Sequence, residues 1–585
     1  MSGLGTEPVI VSPSSQPEPN AISLLWLDNE SASRATASDS AVGDDLRVKV
    51  IADLMSPHVD YLRPIHNLLR TLLTDEETLR YRQDAFEDCL ENPAFTEGLR
   101  ELLPQIRGLH NTVRDIRARR NQVSLVLSRL TELENYIDCV SALDALMRKH
   151  AEALKALAWR ELAHELQVIV NEPAFRQMTK ELPELRAEIR QVVSVTIGVN
   201  LSPDLKPVAA TLLSINKKRF RGPRFFRKFW GIDDEEELRG ISTLRESPDA
   251  RRYRDGSILA ERREMLDRLA ANMLFSDLGV VLDDVIRPIA RALERYTHVR
   301  SSLLRALEPE IAFYVGGAGL ISALRLRGLP LCRPQLLPVA ERRMEARALY
   351  NLDLALRLSQ QQRAGDLNEH IVSNDVAFDG KGRIHILTGP NRGGKTTYIQ
   401  AVGLLHVLAQ TGMYVPAESA SLSPVDGIFL HFPAEEKPNM ESGRLGEEAG
   451  RLREIFRRAT RHSLLLLNES LASTSATESY FLARDVVSCL RMLGARALFV
   501  THLHELAADC ESINSEVAGD SRVQSLISQV EEGADGLRLT YQIVPAAPRG
   551  QSYAREIARQ YGISFEQLQA LLAGGETANS AEHKS

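Results

Sequence analysis

Along this chain the spacing of apolar residues changes three times, and each change marks a different kind of structure. From Asp45 to about Val192 glycine and proline are sparse and apolar residues recur at helical spacing. Val123, Leu125, Val126, Leu127, Leu130, Leu133, Tyr136 and Ile137 trace one packed face, which predicts long helices in a bundle-like scaffold. The period then shortens to two at Val192–Asn200, with a second β-branched run at Thr211–Ile215, predicting a small β insertion. Helical spacing returns between Ser257 and Leu307, through Leu266, Leu269, Met273, Leu274, Leu278, Val281, Leu282, Val285 and Ile286. Pro330, Pro334 and Pro338 mark irregular connections. Beyond them come short continuous apolar runs, Ile384–Thr388, Ser463–Leu467 and Ala497–Thr501, of the sort buried in parallel sheets. Before all of this, residues 1 to about 45 are rich in Ser, Ala, Pro and Asp, which predicts a disordered leader. Its one apolar island, Ile22–Leu27, is a candidate for a strand or a docking contact.

Composition narrows the class without naming a function. At 585 residues the length allows several domains, and 44% hydrophobic with 25% charged residues is ordinary for a soluble protein. A net charge of −7 removes bulk basicity as a signal, so contact with nucleic acid must come from local patches. The five cysteines (Cys89, Cys139, Cys332, Cys489, Cys510) are scattered, with neither disulfide nor zinc spacing. No apolar run reaches membrane-spanning length, and a cytoplasmic location is expected.

One local patch is dense. Lys217, Lys218, Arg219, Arg221, Arg224, Arg227 and Lys228 interleave with Phe220, Phe225, Phe226, Phe229 and Trp230. Charges on phosphates and rings on bases or sugars would make this a DNA contact. Equally, it reads as a solvated loop whose rings pack on the scaffold, neutralised by the acidic run Asp233–Glu237.

The most specific chemistry lies at Gly389–Thr396, which fits G-x-x-x-x-G-K-[ST]. An apolar run precedes it, and Ile399, Val402, Leu405, Val407 and Leu408 follow at helical spacing, so strand, glycine loop and helix stand in the required order. Gly389, Gly393 and Gly394 let backbone N–H groups approach phosphate oxygens, with Pro390, Asn391, Arg392 and Thr397 completing the loop. Lys395 is placed to reach the β- and γ-phosphates, and Thr396 offers a hydroxyl to Mg²⁺. ATP and Mg²⁺ are the expected ligands. The second apolar run delivers Asn468 to the magnesium shell and Glu469 to the attacking water; the third delivers His502. Ligands gather at the carboxyl ends of strands in such sheets, so the three are expected to converge.

These residues, with Gly412–Ala417, Ser473–Ser475, Phe499–His502 and Gly550–Tyr553, make the sequence resemble the MutS family of DNA mismatch-repair ATPases over about 220 residues. It is similar to the members that lack the N-terminal mismatch reader. The resemblance implies a multidomain fold in which a long-helix core and lever region, carrying a clamp-like β insertion, precedes an α/β P-loop ATPase domain of ABC/MutS type. The expected boundaries are 1–45 leader, 46–191 first core and lever, 192–256 insertion, 257–345 lever and core return, 346–573 ATPase and 574–585 disordered tail. It further implies Glu469 as the catalytic glutamate and His502 as the switch histidine that senses the γ-phosphate. Ile371 would lie at the adenine and Asn374 at a turn. Ser442–Glu448, including Arg444, would be a signature loop reaching a partner's nucleotide site, with Ser475 in the D-loop, which makes a homodimer with composite sites the expected assembly.

Two departures bear on rate. Asn468 stands where the family has aspartate, removing a negative charge from the metal shell, so hydrolysis that is slower, or differently coupled to the metal, is expected although Glu469 remains. The signature loop has Gly443 and Leu445 where the family has serine and phenylalanine. Phe95–Thr96–Glu97 matches the mismatch-wedge tripeptide but sits in helical surroundings after Asn92–Pro93, where phenylalanine is core. The function expected is ATP-driven clamping of mismatched, branched or distorted DNA. The alternative is an ATP-gated protein-interaction scaffold with incidental hydrolysis. A small-molecule kinase is disfavoured, having no use for the D-loop and the switch histidine.

Overall fold

The computed structural model describes residues 22–38, 40–118, 122–191, 193–201, 203, 207–218, 289–293, 296, 302–361, 365–433, 443–533, 536–548 and 562–569. Its strands, in chain order, are β1 (Thr36–Ala37), β2 (Thr71–Leu72), β3 (Ser194–Leu201), β4 (Pro207–Asn216), β5 (Gln335–Leu336), β6 (Met344–Leu349), β7 (Asn374–Phe378), β8 (Ile384–Thr388), β9 (Ser419–Leu422), β10 (Ile428–His431), β11 (Leu464–Asn468), β12 (Arg496–Val500), β13 (Val523–Gly533) and β14 (Gly536–Pro545). The chain divides into two compact units, residues 1–100 with 150–162 and 309–585, and residues 101–149 with 163–308. The helical stretch expected at 257–288, Arg219–Trp230, Ser442, Gly550–Tyr553 and the tail 574–585 lie outside the described residues.

The first unit holds a six-stranded sheet in the order β10-β11-β12-β8-β13-β14, parallel except for β14, which pairs antiparallel with β13. Every residue of β8, β11 and β12 is buried, which is why these runs are continuously apolar and not alternating. Ile384, Ile386, Leu465, Leu467, Ala497 and Phe499 share one core with Val487 and Leu490 of the helix Ala476–Leu493. Against Leu466 lies the helix Lys395–Ala409, held close because a Cβ on Gly403 would come within 2.9 Å of that leucine. A four-stranded sheet, β5-β9-β6-β7, completes the α/β part.

The same unit contains a helical layer. Asp75 caps the helix Glu76–Glu91 by accepting from the Thr78 amide (3.0 Å), and that helix buries Leu79, Tyr81, Ala85, Phe86 and Cys89. Phe86 packs on Phe313 and Tyr314, while Trp159 donates to the Ala85 carbonyl (3.1 Å). Phe95 is fully buried edge-on against Trp159 and Glu97 pairs with Arg100 on the surface, so the tripeptide is core and solvated neighbour.

The expectation of a disordered leader is corrected from Ile22 onward. Leu24 is fully buried, the Leu24 amide and the Ser23 hydroxyl donate to Glu310 (2.7 and 2.8 Å), and Tyr314 donates to the Leu24 carbonyl (2.6 Å). Asp28 then caps a helix, Asn29–Arg34. A few apolar residues satisfied by buried polar partners outweigh the low-complexity composition around them.

The second unit contains the helices Gln122–Lys149 and Pro173–Gln191; the first buries Leu130, Leu133 and Tyr136, the last edge-on to Phe175 of the second. Arg129 donates to the Tyr296 carbonyl, and the Tyr296 hydroxyl donates to Glu181 (2.6 Å). The β-type runs form an antiparallel hairpin, β3 with β4, interrupted by two register shifts. Lys217 and Lys218 are exposed just beyond β4.

Candidate functional site

Three neighbouring parallel strands finish level with one another. Asn468 pairs with Val500, Val500 with Leu387, and the Thr501 amide donates to the Leu387 carbonyl (3.0 Å). The residues just past the three strand ends therefore collect at one edge: the glycine loop after β8, Glu469 after β11 and His502 after β12.

The loop leaves β8 through Gly389, whose φ of 148° no L-residue adopts easily, and enters the helix through Gly394 at φ 84°. Space is as limiting as angle. A Cβ on Gly389 would fall 2.7 Å from the Ser528 Cβ, and one on Gly393 would fall 2.5 Å from the Ser528 Oγ. That fully buried hydroxyl donates to the Gly393 carbonyl (2.7 Å), so β13 braces the loop from behind. The buried Lys395 Nζ donates to the carbonyls of Gly389 (3.0 Å) and Pro390 (2.9 Å). Burial lowers its pKa, partly opposed by the carboxylate of Glu469. Asn391, Arg392 and Thr396 are exposed, and Thr397 is half-buried.

Glu469 takes a left-handed backbone (φ 49°), its amide donating to the Val500 carbonyl (2.8 Å). Its Oε1 lies 3.0 Å from His502 Nε2, so the two residues drawn from separate strands meet. Asn468 is buried, and its amide oxygen has no hydrogen-bond partner among the described residues. Among the same residues no group of three or more His, Cys, Asp or Glu side chains can hold a metal ion. A hard divalent cation here needs oxygens from a bound phosphate, with Thr396 and the Asn468 oxygen as protein contributors. Helix N-terminus, buried lysine and orphaned amide oxygen fit a nucleoside triphosphate with Mg²⁺.

Beside the loop is a cavity of about 490 Å³, lined on one side by residues 391–398 and Glu469 and on the other by Tyr350, Asn351, His370, Val372, Asn374 and Tyr541. Ile371 is buried and does not line it; its two neighbours do. Asn374 ties β7 to β14, its Oδ1 accepting from the Ile543 amide (2.6 Å) and its Nδ2 donating to the Tyr541 carbonyl (3.1 Å). Tyr541 itself is exposed, with a left-handed φ of 60°. Asn351 donates to the Thr397 carbonyl (2.9 Å) and accepts from the Leu354 amide (2.9 Å), joining the loop helix to the earlier helix Leu352–Gln361. Sequence reasoning missed Ser528, Tyr541, Tyr350, Asn351 and His370, because each reaches the site from a distant strand or turn with no local motif.

The segment expected to face a partner starts a helix, Gly443–Arg458. Leu445 packs on the core, the Glu448 carboxylate accepts from the Leu471 amide (3.0 Å), and Ser475 caps the helix Ala476–Leu493. The side chain of Arg444 lies outside the described residues. All five cysteines are free. No helix among the described residues is long and apolar enough to cross a membrane.

The family model described as MutS domain V matches residues 385–570, and that described as the MutS2 N-terminal domain matches residues 74–327. The chain is 34% identical over 224 residues to the DNA mismatch repair protein MutS of Chlorobium limicola, covering 37% of this chain and 25% of that one. With the DNA mismatch repair protein MutS of Chlorobium phaeovibrioides it shares 27% identity over 537 residues, 87% of this chain and 56% of the relative. With the Endonuclease MutS2 of Thermus thermophilus it shares 33% over 207 residues, 35% of this chain and 26% of the relative. The chain thus spans from about a quarter to just over half the length of the curated relatives it matches. With two successive family models aligned in order and the phosphate-loop geometry in place, the chain belongs to the MutS family.

Proposed function

We propose that this protein is an ATP-dependent DNA-binding ATPase of the MutS type, coupling ATP binding and hydrolysis to the clamping of mismatched, branched or distorted DNA in mismatch repair or related DNA maintenance. The observation that carries the reading is the meeting of Glu469 and His502 at 3.0 Å, level with the Lys395 loop and beside the 490 Å³ cavity. Mg²⁺, when bound, supplies neutralisation of charge on the β- and γ-phosphates. The chain's own residues do the rest. Backbone N–H groups of residues 391–396 and the helix N-terminus cradle the phosphates. Lys395 exchanges its two carbonyl contacts for phosphate oxygens, a favourable trade for a cation that burial already penalises. Thr396 and Asn468 offer metal-shell oxygens. Glu469 orients the attacking water, and His502, hydrogen-bonded to it, reports the γ-phosphate to the sheet. Tyr541, Tyr350, His370 and Val372 offer ring and aliphatic surface to the base.

In this reading the ATPase drives the helical region as lever and its β insertion as clamp, with DNA held in part by the basic run Lys217–Lys228. A homodimer pairs two nucleotide sites through Ser442 or Arg444 of the signature loop and Ser475. Nucleotide-dependent DNA binding tests the proposal. Affinity for duplex, mismatch or four-way-junction DNA at low salt should change between ATP, ADP and no nucleotide. Binding to none of the three in any nucleotide state would overturn it.

A further inference from the structure

The turn that carries Glu469 is held from behind by residues on two other elements. Glu469 and Leu471, both with Cβ atoms, adopt left-handed backbone (φ 49° and 64°), a region such residues occupy only when their surroundings impose it. Four ties impose it here. The Glu469 amide donates to the Val500 carbonyl (2.8 Å), and Ser479 Oγ donates to the Leu471 carbonyl (2.7 Å). The Leu471 amide donates to Glu448 Oε2 (3.0 Å), and Ser470 Oγ lies 2.7 Å from His431 Nδ1. The other ring nitrogen of His431 lies 3.2 Å from the Glu448 carbonyl oxygen. A carbonyl only accepts, so the Nε2 contact is a hydrogen bond in the tautomer protonated there, in which Nδ1 accepts from the Ser470 hydroxyl; that hydroxyl also lies 3.3 Å from the His431 carbonyl oxygen. Burial keeps this ring neutral, its pKa pushed down to about 4. Glu448 thus grips the turn directly with its carboxylate and, through its own carbonyl and His431, a second time.

We propose that Glu448 and His431 are positioning residues for Glu469, transmitting the placement of the first turns of the helix Gly443–Arg458 to the carboxylate that orients water. This deepens the hydrolytic reading of Glu469 and rests on it. Neither side chain lines the cavity, so nucleotide affinity is not their concern. A displacement of the turn moves Glu469 relative to the loop, and errors of about 1 Å in such placement cost up to about a hundredfold in rate.

The test uses the full chain with Glu448→Ala, Glu448→Gln and His431→Leu. Read-outs are steady-state ATP turnover, affinity for a fluorescent ATP analogue, and hydrogen exchange of the peptide containing the Leu471 amide. Glu448→Ala should lower kcat about tenfold or more while leaving nucleotide affinity within about twofold, with faster exchange at Leu471. Glu448→Gln, whose amide oxygen still accepts, should recover most of the rate, and His431→Leu should fall between. Wild-type kcat and unchanged exchange in Glu448→Ala would overturn the proposal. So would a loss of rate and affinity in equal proportion, which is the mark of partial unfolding. If turnover proves independent of Glu469, the hydrolytic reading itself fails; exchange at Leu471 still shows separately whether the tie exists.

Discussion

Replacing His385 by phenylalanine isolates one buried titration in β8, the strand that feeds the phosphate loop. His385 is 3% exposed and stacks on Phe378, with ring centres 4.7 Å apart and planes 12° from parallel. Neither ring nitrogen has a well-formed hydrogen-bond partner among the described residues, and burial pushes its pKa from 6.5 down to about 4. The sign follows from which state takes up the proton. As pH falls below 6.5 the unfolded chain protonates this histidine, while the folded chain resists until about pH 4. Its stabilising contribution is therefore complete above pH 6.5 and is lost as pH falls through that window. At pH 5 the loss amounts to about 2 kcal/mol, from 1.36 kcal/mol per pKa unit weighted by the two titrations. Phenylalanine keeps the stack and cannot titrate. Urea denaturation followed by circular dichroism at pH 7.5 and pH 5 should show the wild type losing about 2 kcal/mol more than His385→Phe. At pH 7.5 the variant should be about as stable, since the polar contact it removes, between the ring and the Gly382 backbone, is a weak one. Buried His431 and His406, whose pKa values are also lowered, leave both proteins with a common residual acid sensitivity. An equal loss in the two proteins would refute the argument.

Three further perturbations bear on the site. Ser528→Ala leaves the Gly393 carbonyl without its buried partner, so thermal denaturation should show a loss of about 1–3 kcal/mol together with weaker ATP binding. Asn468→Asp restores a negative charge beside the metal, and the Mg²⁺ concentration for half-maximal turnover should fall; an unchanged Mg²⁺ dependence would place Asn468 outside the metal shell. Replacing Lys217, Lys218, Arg219, Arg221, Arg224, Arg227 and Lys228 by glutamine should weaken DNA binding and flatten its salt dependence by about one unit of slope for each phosphate no longer neutralised. A salt dependence identical to wild type would leave the basic run as a solvated loop.

The chemistry legible in the sequence was confined to short stretches. The glycine loop, Asn468–Glu469 and His502 each stand at the end of a run apolar enough to be read as a buried strand, and parallel-sheet geometry does the converging. The β3–β4 hairpin was legible for the same reason, its period of two being local. Ser528 was not, because a serine in an eleven-residue strand says nothing of the two glycines it will meet across the sheet. Tyr541 and Asn374 depend on a hairpin folding back onto β7, a pairing that no spacing encodes. The ordered segment at Ile22–Leu27 was half visible: its apolar island stood out, but the partners that anchor it, Glu310 and Tyr314, lie almost three hundred residues away. Likewise Glu448 stood out as part of a segment expected to reach a partner's nucleotide site, while the bond its carboxylate accepts from the Leu471 amide, 23 residues away, has no local signal.

Glu469 carries the hydrolytic chemistry proposed for this site. ATP turnover by the purified chain should be measured with and without duplex and four-way-junction DNA, for wild type and for Glu469→Ala. Turnover should respond to DNA and should fall by about a hundredfold or more in the variant, with ATP still bound through Lys395. Turnover that survives the substitution unchanged would contradict this assignment.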